Sequence, residues 1–229
     1  MTAGISEMGG VMPAVRGLEP GNRAALVVNE MQNAIANLAY IETPLTSQVA
    51  ARGIVARINA LTAAFRAVGA PVIFCTIAAR SADFEGFRVN CALAAGIRRK
   101  GHLVEGTANA AIHDDLAVEP SDIVCRRSHG MAPFTGTNLD ATLRGYGIDT
   151  VVLAGVSTNI ALPGAATEAV GLGYNVVLAE DCAAGATLET HHMQITEHLR
   201  LLATITDAAS VIASLPVSQP PHSAQPAGT

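Results

Sequence analysis

Short runs of apolar, often β-branched residues alternate along the chain with longer segments of helical periodicity. The apolar runs predict six strands, at 24–29, 71–76, 122–126, 150–154, 175–179 and 204–206. The helical segments predict amphipathic helices at 46–68, 138–146, 160–172, 187–201 and 208–214. The stretch 77–118 lacks either pattern, and we expect an excursion with one or two short helices there.

This alternation predicts an α/β fold, a three-layer sandwich with a six-stranded, mainly parallel sheet and helices on both faces. Short strand–helix–strand spacing requires right-handed crossovers, which place successive strands parallel. We expect an N-terminal extension at 1–22, one α/β domain at 23–215 and a disordered tail at 216–229 that is rich in Pro, Ser, Ala and Gln.

Composition narrows the classes of partner. Half of the residues are apolar and only 3% are aromatic, which suits close packing of helices on a covered sheet. The formal charge of -5 argues against nucleic acid, because phosphate binding needs clustered Lys and Arg. The chain has no apolar run long enough for a membrane span and no secretory signal pattern, and its four cysteines are scattered. We therefore expect a cytoplasmic protein that binds a small molecule.

In a parallel sheet, ligands bind beyond the carboxyl ends of the strands, so the residues that follow each strand are the candidates for chemistry. Glu30 comes directly after the first strand. A carboxylate at a buried strand end is a candidate acid or base. Its alternative role is structural, as a helix cap or a hydrogen-bonded carboxylate.

Four polar residues lie at the end of the third strand: Arg126, Arg127, Ser128 and His129. Two guanidinium groups at this place could bind a substrate carboxylate in bidentate fashion. His129 could exchange protons near neutral pH. The same residues could equally form an exposed basic loop without a ligand.

The fourth strand is followed by a turn into a helix, at Ser157, Thr158, Asn159, Ile160 and Ala161. The first amides of that helix would be free to hold an oxyanion or a carboxylate, helped by the helix dipole. The polar side chains could instead only cap the helix.

Three segments carry a resemblance to a known family: ALVVNEMQNA, then DIVCRRSHGMAPFTGTNLDATLRGYGIDTVVLAGVSTNIA, then GYNVVLAEDCAAG. Together they resemble the isochorismatase-like hydrolases, also called the cysteine hydrolase superfamily, over roughly 23–206. The resemblance implies a triad of Asp, Lys and Cys in which a thiolate attacks an amide or a related bond. It also implies a cis peptide between Val156 and Ser157, and a homodimer or homotetramer.

The sequence departs from the family pattern at all three triad positions. Glu30 stands at the Asp position, and Gln32 is retained after it. Counting back from 134–137, the Lys position falls on Ser128, with Arg127 beside it, and the Cys position falls on Ala161. The Asp-x-His metal motif of one family branch is replaced by 76–80, which read TIAAR, so we expect neither a metal nor another cofactor.

Two functions remain open. The first is a hydrolase that acts on a small, carboxylate-bearing molecule without a cysteine nucleophile and cleaves a C–N or vinyl ether C–O bond. Glu30 would be the acid or base, assisted by Ser128, Arg127 and His129, and the substrate or its oxyanion would be bound by Gln32, Arg126 and the turn 157–161. The alternative is a catalytically silent binder of small molecules, or a structural partner subunit, with the same fold.

Overall fold

The structure is a computed structural model that describes residues 15–216. Six strands form one sheet: β1 (Ala24–Asn29), β2 (Val72–Ile77), β3 (Ile123–Arg127), β4 (Thr150–Val156), β5 (Asn175–Ala184) and β6 (Thr204–Thr206). Their order is β3-β2-β1-β4-β5-β6, and every pairing of neighbours is parallel. The predicted α/β fold is therefore confirmed, with a sheet that is parallel throughout.

Eight α-helices are described: α1 (Asn33–Ala36), α2 (Pro44–Ala51), α3 (Ile54–Ala67), α4 (Ala92–Lys100), α5 (Leu139–Gly145), α6 (Ala161–Gly171), α7 (Leu188–Met193) and α8 (Ala208–Ser214). The apolar sides of α3 and α8 pack on one face of the sheet, against a cluster that includes Leu26 and Phe74. The apolar sides of α5 and α6 pack on the other face, against Val27 and Leu153. The alternating side chains of the strands thus supply both cores.

Two predicted helices differ from the observed ones. The segment 46–68 is two helices, α2 and α3, because Gly53 takes a left-handed conformation with φ of 61° and breaks the helix between them. The first of these starts two residues before the predicted segment, where Thr43 and Thr46 form a reciprocal capping box around Pro44.

The segment 187–201 is α-helical only as far as Met193. It continues as a π-helical turn at Gln194–His198 and a 3-10 turn at Leu199–Leu201. The switch from α-helical to π-helical and 3-10 hydrogen bonds does not alter which residues are apolar. The apolar pattern therefore does not show where the α-helix ends.

The excursion at 77–118 contains α4 and a short 3-10 turn at Ala108–Ala110. Its two phenylalanines, Phe84 and Phe87, pack edge to face and form a third apolar cluster with Ile77 and Leu103. This cluster holds α4 over the carboxyl end of β2, beside the residues that follow β1.

Part of the predicted N-terminal extension packs against the domain. Val15 and Leu18 are buried in the same core as α3, and Thr150 Oγ1 donates a hydrogen bond to the Gly17 carbonyl. Residues 1–14 of that extension, and 217–229 of the predicted tail, lie outside the described residues. Within 15–216, no helix is long and apolar enough to cross a membrane.

Candidate active site

The sheet changes direction of winding between β1 and β4, so the loops that follow these two strands leave on opposite faces and open a crevice. Asn29 and Gly155 are paired at the carboxyl ends of the two strands. Gly155 has φ of 97°, and a Cβ atom there would lie 2.3 Å from the Asn29 carbonyl oxygen. Only glycine permits this approach, which brings Glu30 and Ser157 to the same crevice.

Glu30 itself has an unusual backbone conformation, with φ of 48°. This left-handed region costs a residue with a side chain roughly 1–3 kcal/mol. The conformation is held by two hydrogen bonds of 2.8 Å, from the Glu30 amide to the Cys75 carbonyl and from the Gln32 amide to the Glu30 carbonyl. Such strain is characteristic of functional sites, where a side chain must be aimed in one direction.

The carboxylate of Glu30 is paired with a buried cation. Arg127 Nη2 contacts Glu30 Oε1, and the two side chains are 3% and 16% exposed. Burial lowers the pKa of Arg127 to about 10, and the charge of Glu168 opposes this shift, so Arg127 remains a cation at neutral pH. A cation in contact stabilises the ionised form of a carboxylate. The contact fixes the Glu30 carboxylate at the crevice, where it can form hydrogen bonds with a bound molecule.

Glu30 and Ser157 line a pocket of about 250 Å³ at this crevice, here called the Glu30 pocket. Most of its wall is aliphatic, and two basic side chains, Lys100 and His102, also line it. The remaining wall residues are Ala34, Ile35, Ile41, Thr43, Leu45, Ile77, Leu93, Gly96, Ile97, Leu103, Gly130 and Met131. The volume suits a small metabolite and is below that of typical sites for drug-sized ligands.

The turn after β4 contains the cis peptide between Val156 and Ser157 that the family resemblance implies. The Ser157 carbonyl accepts hydrogen bonds from the amides of Ile160, at 3.3 Å, and Leu162, at 3.0 Å. Within 15–216, the amides of Asn159 and Ala161 have no acceptor. They lie at the positive end of the eleven-residue helix α6, which suits an oxyanion.

The side chain of Thr158 points away from solvent into a chain of hydrogen bonds. Thr158 Oγ1 lies 3.2 Å from His191 Nδ1, and His191 Nε2 lies 2.7 Å from Glu180 Oε1. Arg52 Nη2 lies 2.7 Å from the same oxygen of Glu180. The hydrogen bond from His191, followed by that from Arg52, lowers the pKa of Glu180 to about 2. Because Thr158 is fully buried, this chain supports the turn from behind.

Asn159 also anchors the turn, since its Oδ1 accepts a hydrogen bond of 2.7 Å from the Ala186 amide. Ile160 is exposed at the start of α6, and Ala161 is its first, buried residue. From the sequence, Glu180 was a residue at a strand end without an assigned role, and His191 was not singled out. The only signal in the sequence was the position of Glu180 near the end of the fifth strand.

Gln32, predicted to bind substrate, is fully buried and bonded to the main chain. Its Nε2 donates to the carbonyls of Ile77, at 3.0 Å, and Ala110, at 2.7 Å, and its Oε1 accepts from the Ile77 amide at 2.8 Å. The side chain thus ties β2 and the 3-10 turn to the loop after β1.

The two arginines at the end of β3 do not act as one group. Consecutive strand residues point to opposite faces, so Arg127 reaches Glu30, whereas Arg126 is exposed and pairs with Glu105 at a separate cavity. Ser128, counted to the Lys position, is partly buried in the loop beyond β3, and His129 is exposed. The residue in contact with Glu30 is thus Arg127, one position before the counted one.

None of the described residues that line the Glu30 pocket is a cysteine. Cys75, Cys125 and Cys182 are buried in the two main cores, and Cys91 caps α4. A hydrogen bond from Cys75, with further bonds around Thr137, lowers the pKa of Cys125 to about 6. This thiol nevertheless lies in the core between β3 and α5, away from the pocket wall.

Comparisons with known proteins agree with this architecture. A family model described as the isochorismatase domain matches residues 24–210. An uncharacterized isochorismatase family protein of Escherichia coli O157:H7, YecD, is 33% identical over 194 residues, which cover 83% of this chain and 95% of that protein. The ureidoacrylate amidohydrolase RutB of Rhizobium rhizogenes is 30% identical over 188 residues, which cover 77% of this chain and 73% of that protein.

Solved structures give the same result. An isochorismatase family protein from Burkholderia thailandensis superposes with a TM-score of 0.66 at 29% identity, covering 84% of this chain and 95% of that one. N-carbamoylsarcosine amidase from Thermoplasma acidophilum superposes with a TM-score of 0.64 at 27% identity, covering 81% of this chain and 96% of that one.

Proposed function

Because this chain belongs to the isochorismatase family, we propose that it is a hydrolase that cleaves a small, carboxylate-bearing molecule without a cysteine nucleophile. The observation that carries the proposal is that Glu30, on the wall of a small pocket, is paired with the buried cation Arg127 behind it. A strained, ionised carboxylate at the point where the sheet changes direction is suited to activate water.

The proposed reaction begins with a water molecule in the pocket. Glu30 accepts a proton from this water while the water oxygen forms a bond to the substrate carbonyl carbon. The oxyanion that develops would accept hydrogen bonds from the free amides of Asn159 and Ala161. When the C–N bond breaks, Glu30 returns the proton to the leaving nitrogen, so the base is regenerated without a covalent intermediate.

We favour a C–N bond over a vinyl ether as the bond that is cleaved. Vinyl ether cleavage requires a proton donor at the outset, and the contact with Arg127 favours the ionised carboxylate of Glu30. Several relatives are amidohydrolases by name, among them the ureidoacrylate amidohydrolase of Rhizobium rhizogenes and the maleamate amidohydrolase of Pseudomonas putida. Their substrates carry a carboxylate as well as the bond that is hydrolysed.

The alternative is a binding protein or partner subunit of the same fold that has lost turnover. The resemblance assigns Ala161 to the position of the family's nucleophile, which favours this alternative because alanine has no group that can attack a carbonyl. This alternative predicts saturable binding of small carboxylates without release of product.

The test of the proposal is the substitution Glu30→Gln. With primary amides and N-carbamoyl derivatives of small carboxylic acids as substrates, we expect ammonia release by the wild type and a loss in kcat of about 100-fold or more in the variant, the usual contribution of a positioned acid or base. Glu105→Gln removes an exposed carboxylate outside the pocket and serves as the matched control. Undiminished turnover in Glu30→Gln would rule out the role of Glu30.

A second measurement separates this mechanism from thiol catalysis. We expect turnover to persist after treatment with iodoacetamide and in the variant Cys125→Ser, because no described cysteine lines the pocket. Mass spectrometry would confirm alkylation of the exposed Cys91. Loss of activity in Cys125→Ser, with an unchanged thermal midpoint, would instead assign the reaction to a thiol.

A further inference from the structure

One side of helix α4 forms part of the Glu30 pocket. The four residues of α4 that line the pocket are Leu93, Gly96, Ile97 and Lys100. Their spacing of three, one and three residues places them on a single face of the helix. Lys100 is therefore the member of the basic run 98–100 that is turned to the pocket, while its two arginine neighbours lie on other sides of α4.

The pocket wall carries two basic side chains, Lys100 and His102, that no carboxylate of residues 15–216 pairs with. Neither Lys100 nor His102 has a carboxylate oxygen within 4.0 Å. The one acidic residue on the described pocket wall, Glu30, is already in contact with Arg127. An anion would therefore find two unpaired basic groups in an otherwise aliphatic pocket.

His102 is held in place by the segment that follows it. The Leu103 carbonyl accepts a hydrogen bond of 2.8 Å from the Ala79 amide, and the Glu105 amide donates one of 2.9 Å to the Ala79 carbonyl. Leu103 is buried in the third apolar cluster. His102 therefore projects from a fixed backbone, and a ligand would not have to order a loop in order to contact it.

The rest of the pocket selects an aliphatic group. Its apolar wall is formed mainly by branched aliphatic side chains and Met131, with no Phe, Tyr or Trp among the residues described. At Gly96, a Cβ atom would meet nothing within 4 Å, so the missing side chain leaves room beside the helix. This wall can bury an alkyl chain, and it offers no Phe, Tyr or Trp ring for the stacking of a planar ligand.

From these features we infer that Lys100 and His102 bind the carboxylate of an aliphatic substrate whose alkyl part lies against α4. The inference deepens the proposed function, because it names the substrate class of the same pocket. It also assigns carboxylate recognition to residues other than Arg126, which lies at a separate cavity, and Arg127, which is paired with Glu30.

The test compares hexanoate with heptan-2-one, which has a methyl group in place of the charged oxygen and no bond to hydrolyse, by isothermal titration calorimetry. We expect the wild type to bind hexanoate more tightly, and Lys100→Met to weaken hexanoate binding by about tenfold while heptan-2-one binding is unchanged. His102→Leu should act in the same direction. Arg99→Met removes a neighbouring exposed charge of the same helix and should leave both affinities unchanged. Equal loss in Lys100→Met and Arg99→Met, or equal affinity of the wild type for the two ligands, would overturn the inference.

A second variant tests the alkyl part of the site. Gly96→Leu should fold at least as stably as the wild type, because glycine is the poorest helix former after proline and the added Cβ meets no atom. It should abolish the preference for hexanoate over acetate, since the leucine occupies the space of the alkyl chain. A preference for hexanoate equal to that of the wild type would place the alkyl chain elsewhere and overturn the assignment.

The variant Glu30→Gln distinguishes a failure of the proposed hydrolase function from a failure of the inferred carboxylate site. If carboxylates bind through Lys100 but no amide is hydrolysed, the proposed hydrolase function fails and the binding site stands. If a carboxylate-bearing amide is hydrolysed in a manner that depends on Glu30, but Lys100→Met changes no affinity, the function stands and the inference fails.

Discussion

Asn29, beside the strained Glu30, is the one residue described here whose buried side-chain amide has no partner at either atom. It is fully buried at the end of β1, and within residues 15–216 neither its Nδ2 nor its Oδ1 has a hydrogen-bond partner. A buried polar group without a partner costs about 1–3 kcal/mol. Sites often retain such costs because function, rather than stability, selects the residue. Both the backbone conformation of Glu30 and the unpaired side chain of Asn29 therefore lower the stability of the folded protein.

We predict that Asn29→Leu raises the free energy of unfolding by about 1–3 kcal/mol, because leucine has the same branching and no unpaired polar atoms. Asn37→Leu is the matched control, since the amide of Asn37 is buried but bonded to Asn33 and to the Ala39 amide. The same substitution there should lower the free energy of unfolding. Urea denaturation measures both, and a destabilisation of similar size in the two variants would contradict the prediction.

At the scale of the elements, the turn after β4 is held by polar and charged side chains from other parts of the chain. Thr158 in that turn, His191 in α7, Glu180 in β5 and Arg52 after α2 form one connected chain of hydrogen bonds. Three separate elements therefore hold the segment that carries the candidate oxyanion amides. Removal of one member should loosen the turn without touching the pocket wall.

This chain predicts a dependence of stability on pH. The pKa of Glu180 is about 2 in the folded protein, against an ordinary value of 4.5, so its contribution is complete above pH 4.5 and is lost as the pH falls towards 2. We expect Glu180→Gln to be less stable than the wild type at pH 6, and the difference to shrink steadily between pH 4.5 and pH 2.

Chemical denaturation across this range measures the effect. Glu197→Gln, an exposed carboxylate without an ion-pair partner among the described residues, should show no such change. A constant difference between the wild type and Glu180→Gln would contradict the assignment.

At the scale of the whole molecule, helix α6 has one face in the core and one face in solvent. Its small buried residues pack on the sheet, while Ile160, Val170 and Leu172 at its two ends are each about 40% exposed. These exposed apolar side chains are suited to contact a second copy of the chain, because an interface would remove them from water. We propose that the protein is a homodimer or homotetramer that uses this helix.

Sedimentation velocity tests the proposal. We expect the wild type to sediment as a dimer or tetramer at micromolar concentration, and Val170→Glu to shift the distribution towards the monomer, because the charge would have to be buried at the interface. Val118→Glu, at an equally exposed valine away from α6, is the control. A monomeric wild type would refute the proposal.

The sequence by itself was sufficient for the sheet and for the edge that carries the candidate site. Continuous apolar runs and amphipathic helices report burial directly, so the order of elements along the chain and the parallel sheet followed from the pattern. The same reasoning placed Glu30 and the turn 157–161 at the same edge of the sheet, because the carboxyl ends of parallel strands share one edge. That their two strands are neighbours came only from the structure. The motif around 134–137 was specific enough to indicate the family, which the comparisons show.

Only the tertiary structure decided which side chains meet. A shift of one residue reverses the face to which a strand side chain points, so Arg127 meets Glu30 and Arg126 does not. The amide of Gln32 is bonded to main chain contributed by distant segments, which no local pattern records. Lys100 and His102 reach the pocket because an irregular excursion folds back over β2 on the phenylalanine cluster, and contacts between residues so far apart in sequence leave no periodic trace.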